Sequence, residues 1–123
     1  MPNISDVFVA DFSKEYERRP TKHCVCVSIS VKRYVIINTN HREIYDDFEI
    51  KSSDYEFLGS ENRFVSCVKI YGSDSIKLLR HVGNLSRDDM IKIVDKIQNS
   101  KVLDEIEKEA VLPELKKWLL GIP

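Results

Sequence analysis

Two stretches of this chain hold residues whose types suit the handling of an anion. In 34-YVIINTNHREIYDDFEI-50, four apolar residues are followed without a break by Asn38, Thr39, Asn40, His41, Arg42 and Glu43, each able to donate, accept or carry charge. In 17-ERRPTKHCVCVS-28, Arg18, Arg19 and Lys22 lead into a Val-rich run. Guanidinium groups offer two donors in a fixed plane and an imidazole can exchange protons near neutral pH, so these residue types at a strand's end would suit a phosphate. The simpler alternative is a pair of loops facing water.

Charge distribution points the same way. The formal net charge is −1, which gives no global attraction to nucleic acid. Yet residues 1–42 carry seven Lys/Arg against four Asp/Glu, while residues 43–100 carry eight against eleven. The basic excess lies with Lys14, Arg18, Arg19, Lys22, Lys32, Arg33 and Arg42 and fits either a phosphate-binding face or an ordinary solvated one.

Other candidate chemistries are weaker. Cys24 and Cys26, two apart in a strand, share a face, and Cys67 is expected to join them; His23 points the other way. With no second closely spaced pair, free buried thiols are expected rather than zinc. The run Tyr45-Asp46-Asp47 reads as a solvated turn, and Tyr45 and Tyr55 offer rings that could stack on bases. The four glycines are scattered and no nucleophile elbow is present, so no metal and no cofactor is expected.

The elements that must position these residues change type along the chain. Strands are predicted over about 6–12, 23–29, 34–38, 47–51, 63–71 and 76–82, with 23–29 and 34–38 paired as a hairpin and a helical turn within 53–58. Ser86 is a good N-cap, Asp88 and Asp89 suit the first helical turn, and Met90, Ile93, Val94 and Ile97 recur at helical spacing. Helices are therefore expected over about 86–99, 101–110 and 113–120, the last opened by Pro113 and carrying Trp118 inward. Strands followed by helices predict one α+β domain over 1–123: a small antiparallel SH3-like β-barrel of five or six strands, about 4–82, followed by C-terminal helices. No apolar run nears the roughly 18 residues that span a bilayer and no leader pattern opens the chain, so a soluble cytoplasmic protein is expected. Three cysteines fit a reducing compartment.

The order of these segments resembles the MazF/PemK/Kid toxins. The segments are 5-SDVFVADF-12, 18-RRP-20, an apolar strand ending at Ser28, 37-INTN-40, 48-FEI-50, 65-VSCVKIYGSD-74 and 82-VGNLSRDDMIKIVDKI-97. The resemblance spans residues 4–98, and its best part is that order together with Gly83-x-Leu85-Ser86. Ser5 stands where the family opens with Gly, and Val68-Lys69 where it has Asp-Gln.

The resemblance implies an SH3-like barrel that forms a homodimer, cleaves single-stranded RNA without metal and is held by a cognate antitoxin. It assigns Arg19, or its neighbour Arg18, to stabilising the pentavalent phosphate and moving a proton, and Thr39 to a hydrogen bond with the scissile phosphate. RNA-binding support would come from Arg18, Lys22, His41, Arg42 and Lys69, and His41 could also act as general acid or base. The alternative is a catalytically inactive PemK-like barrel acting as a protein- or RNA-binding regulatory module.

Overall fold

The computed structural model describes residues 2–18 and 20–121. Six strands come first: β1 (Asp6–Asp11), β2 (Thr21–Ser28), β3 (Arg33–Asn38), β4 (Asp47–Ile50), β5 (Arg63–Gly72) and β6 (Lys77–Asn84). Two helices follow, α1 (Arg87–Gln98) and α2 (Glu105–Leu119). All strand pairs are antiparallel, in the spatial order β4-β5-β3-β2-β1-β6. The protein is thus α+β, an open six-stranded sheet with both helices C-terminal. No described helix is long and apolar enough to cross a membrane.

The sheet buries both faces, and alternation along each strand sorts its residues between them. Val7, Val25, Val35, Ile37 and Val65 face the helices and pack with Met90, Ile93, Ile97, Val111 and Leu115. Phe8, Ala10, Cys24, Cys26, Tyr34 and Ile36 point the opposite way and pack with Phe12, Tyr71 and Ile76. This explains why Tyr34 to Ile37 are apolar without a break: β3 lies near the middle of a sheet covered on both sides. Cys24 and Cys26 share a face as expected, but Cys67 sits on the helix side, because Val65 opposite Ile37 sets that face and Cys67 follows it two residues on; the slip between Tyr34 and Ile36 then turns Tyr71 to the other face.

The helix caps follow the sequence signals. Ser86 Oγ accepts the Asp89 amide at 3.2 Å, and Asp104 accepts that of Glu107 at 2.8 Å. The two short helices expected over 101–110 and 113–120 are instead one continuous helix, with Pro113 inside it. Pro113 is exposed and forfeits one hydrogen bond, a cost near ~3 kcal/mol. Val111 and Leu115, one helical turn apart and fully buried, straddle it and hold both halves on the same core.

Two backbone positions have particular geometry. Ser5 has φ +80°, the left-handed region that favours glycine, and its backbone ties β2 to the start of the helical part: its amide donates to Cys26 and its carbonyl accepts from Leu85. Gly83 lies against Phe57, whose ring would stand 2.7 Å from any Cβ there.

Candidate nucleic-acid interface

The sheet face away from the helices is crossed by the connection between β1 and β2. Phe12, donating to the Pro20 carbonyl at 2.7 Å, starts a turn in which the amides of Glu15 and Tyr16 both return to the Phe12 carbonyl. That turn lays Phe12 edge-on against Tyr71, with ring centres 5.1 Å apart, and brings the Tyr16 and Tyr71 hydroxyls to 2.8 Å. Burial, with the bond to Tyr16, pushes the Tyr71 phenol far above its ordinary range, so it stays a neutral hydrogen-bonding group.

Cations flank this ridge. The Lys22 ammonium lies 4.9 Å from the Tyr16 ring centre, and that of Lys69 lies 5.0 Å from the Tyr71 ring centre. Lys69 also meets the Glu15 carboxylate at 2.9 Å, so part of its charge is already answered.

The connection from β3 to β4 builds the neighbouring part. After the exposed bend at Thr39 and Asn40, a single 3-10 turn, Glu43–Tyr45, leads through left-handed Asp46 into β4. Lys96 of α1 fastens Asp46 at 2.7 Å. Asp47, the first residue of β4, has a side chain with no exposure. One of its oxygens meets His41 Nδ1 at 2.5 Å, and the other accepts the Arg42 amide at 3.3 Å. The His41 ring is more than half exposed and packs beside Phe64.

With Asp47 accepting at Nδ1, a neutral His41 holds its proton there and offers a bare Nε2. Such a nitrogen can remove a proton from a hydroxyl. Beside it the Arg42 guanidinium stacks over Tyr45 at 5.6 Å, and the Tyr45 carbonyl accepts from Ser66 at 3.1 Å. Asp47 pairs with Ser66 and Ser66 with Ile36, which places the His41–Asp47 pair on the same sheet face as the tyrosine ridge.

Of the predicted residues, Lys22, His41, Arg42 and Lys69 thus fringe one face, joined through Tyr16, Tyr71, Tyr45 and Phe64. Arg18 is exposed in the loop before β2, and Thr39 is exposed just past β3. β2 begins and β3 ends at the same edge of the sheet, since His23 pairs with Ile37. Arg19 lies outside the described residues.

Two sequence expectations change. Asp47 is not a solvated turn residue but a buried carboxylate held by two donors. Tyr55 is no stacking platform: it is buried, accepts the Ser86 amide at 2.9 Å and donates to the Asp89 carboxylate at the start of α1. Glu15, Tyr16 and Tyr71 were not singled out, because their meeting depends on a turn and a bulge that have no spacing signature. Among the described residues, no group of three or more His, Cys, Asp or Glu could hold a metal ion. Burial pushes the Cys24, Cys26 and Cys67 thiols up to about 12, so none is a nucleophile near neutral pH.

His23, on the helix side, packs near Phe57. Its pKa is lowered from 6.5 by burial and then by the nearby Arg63 and Arg80 charges. The unfolded chain therefore takes up this proton first, and the stability present above pH 6.5 is lost as the pH falls through the depressed value. His23→Gln should flatten that acid-side decline when urea midpoints are measured from pH 7 downward. A decline as steep as the parent's would assign it to other groups.

No protein-family model matches the chain, and no curated protein matches it.

Proposed function

We propose that this protein binds single-stranded RNA across the tyrosine face and cleaves it, as a MazF/PemK-like endoribonuclease toxin. The observation that carries the reading is His41, oriented by buried Asp47 and left open at Nε2 beside rings and cations that suit bases and phosphates. In the reaction, His41 takes the proton of a ribose 2′-hydroxyl, whose oxygen attacks the adjacent phosphorus. The 5′-oxygen leaves and takes up a proton, giving a cyclic phosphate and a free 5′-hydroxyl end. Arg19 or Arg18 meets the charge that builds on the phosphate oxygens, and Thr39 adds a hydroxyl donor, as the resemblance implies.

The same reading makes the sheet an SH3-like barrel. Pairing slips in β1–β6, β2–β3 and β3–β5 supply the bends that such curling needs. The left-handed backbone at Ser5, where the toxins have glycine, also supports it, as does the close approach at Gly83. A homodimer, a cognate antitoxin and a cytoplasmic location belong to this proposal. One observation favours a second reading, a barrel that binds RNA or protein without cutting: Lys69, at the position of the family's Gln, is spent on Glu15.

Purified protein in EDTA should cut a single-stranded RNA into fragments with 5′-hydroxyl ends, and Arg19→Ala should stop it. Binding is measured alongside and should weaken steeply with salt. Tight, salt-sensitive binding without cutting would leave the second reading. Absence of RNA binding would remove the RNA function altogether.

A further inference from the structure

On the β1–β6 side of the Phe12–Tyr16 turn, the same sheet face opens into a cleft of about 780 Å³. That volume is ample for a small organic ligand. Ile29 and Leu78 contribute apolar surface, Tyr34 and Ile76 are almost fully buried in its wall, and Lys14, Lys32 and Lys77 stand around it. Two carboxylates, Asp11 and Asp74, share the lining with the three ammonium groups. Asp11 accepts the Ser13 amide at 2.7 Å and lies opposite Lys77 in the β1–β6 pairing, close enough to feel its charge. Asp74 turns its carboxylate over Gly72, beside the Arg33 guanidinium, while its carbonyl receives the Lys14 ammonium at 2.8 Å. Lys32 and Lys77 form no ion pair among the described residues.

Tyr34 supplies the second observation. It is 2% exposed, and its hydroxyl has no hydrogen bond among the described residues. Every fully buried side-chain oxygen or nitrogen described does have a partner, so this phenol keeps a sliver of access, and Tyr34 is one of the residues that line the cleft. A buried hydroxyl left open to a cavity is a donor awaiting an acceptor. Burial pushes its pKa up to about 12, so it remains protonated.

We propose that this cleft binds a nucleoside monophosphate, with the base on the apolar surface of Ile29 and Leu78 and the phosphate between Lys32 and Lys77. A flat, partly apolar body with a dianionic end matches the apolar surface and the two unpaired ammonium groups, and the Tyr34 hydroxyl donates to the base or sugar. The site uses none of the residues assigned to RNA cleavage. The nucleotide is either free in solution or one unit of a bound strand; its chemistry is the same.

Calorimetric titration of the full chain with AMP, GMP, CMP and UMP tests it. At least one should bind with a Kd below about 1 mM, with the bare nucleoside and inorganic phosphate each at least about tenfold weaker. Lys77→Ala should weaken binding about tenfold and Tyr34→Phe about fivefold, with thermal melts confirming that both variants are folded. Lys69→Ala should leave nucleotide binding unchanged while weakening RNA binding, which separates failure here from failure of the RNA reading. Displacement of the nucleotide by a short oligonucleotide marks the site as a seat for one unit of the strand, and independent binding marks it for the free nucleotide. No heat with any of the four at about 5 mM, or affinities unmoved by both Lys77→Ala and Tyr34→Phe, overturns the proposal.

Discussion

His41→Ala is expected to lower the single-turnover rate of RNA cleavage by about 10²–10³-fold, with RNA affinity within about threefold of the parent protein. The ring is more than half exposed and meets one carboxylate and the ring of Phe64, so its removal should barely disturb folding. Asp47→Asn should slow cleavage as well, because an amide can turn its NH₂ toward Nδ1 and move the ring proton to Nε2, where a base is needed. The pH profile distinguishes loss of a base from loss of a structural contact. The parent's profile should carry a base limb that the profile of His41→Ala lacks. Cleavage by His41→Ala at the parental rate would pass the role of base to another group and leave the His41–Asp47 pair a loop fastening.

Leu115→Ala should cost about 3 kcal/mol of stability, read as a shift in urea midpoint with an unchanged slope. Leu115 is fully buried between α2 and the sheet, close to Val111 and Trp118, so truncation leaves a cavity that a helix pinned at both ends cannot collapse. Asp104 caps one end of α2. Near the other end, Glu114 reaches the connection between β2 and β3, where it accepts from the Ser28 hydroxyl at 2.8 Å, the Ser30 hydroxyl at 2.6 Å and the Ile29 amide at 2.7 Å. Partial burial works against ionisation of Glu114, yet these donors hold its pKa below the ordinary carboxylate value. The consequence is that α2 is part of the core rather than an appendage, and Leu115→Ala should loosen the hairpin that borders the nucleotide cleft. A loss under about 1 kcal/mol would show that α2 rests on the sheet without being anchored to it.

Much of this architecture was legible in one dimension. Val7, Val25, Val35 and Ile37 fall on one side of the sheet, and Phe8, Cys24, Cys26 and Ile36 on the other, as period-two alternation requires. Ser86 with Asp88 and Asp89 announced α1 within a residue. The errors have particular causes. Pro113 is a helix breaker by propensity, and only the burial of Val111 and Leu115 on the same core outweighs it. Cys67 missed the Cys24 and Cys26 face because the β3–β5 register, a long-range pairing, decides which face Val65 and Cys67 share, and Tyr71 left that face because a bulge shifts the period of β5, which leaves no mark on composition.

The candidate site divides along the same line. Strand positions, the hairpin of β2 and β3, helix caps and the run of polar residues after Ile37 are local properties, set by alternation, backbone preference and the short reach of a cap, so the linear chain contained them. The Tyr16–Tyr71 bond, the burial of Asp47 behind His41 and the open cleft beside Tyr34 join residues far apart or turned inward by a single backbone conformation. Such meetings are decided by packing, which depends on every neighbouring side chain at once, and only the folded molecule brings them about.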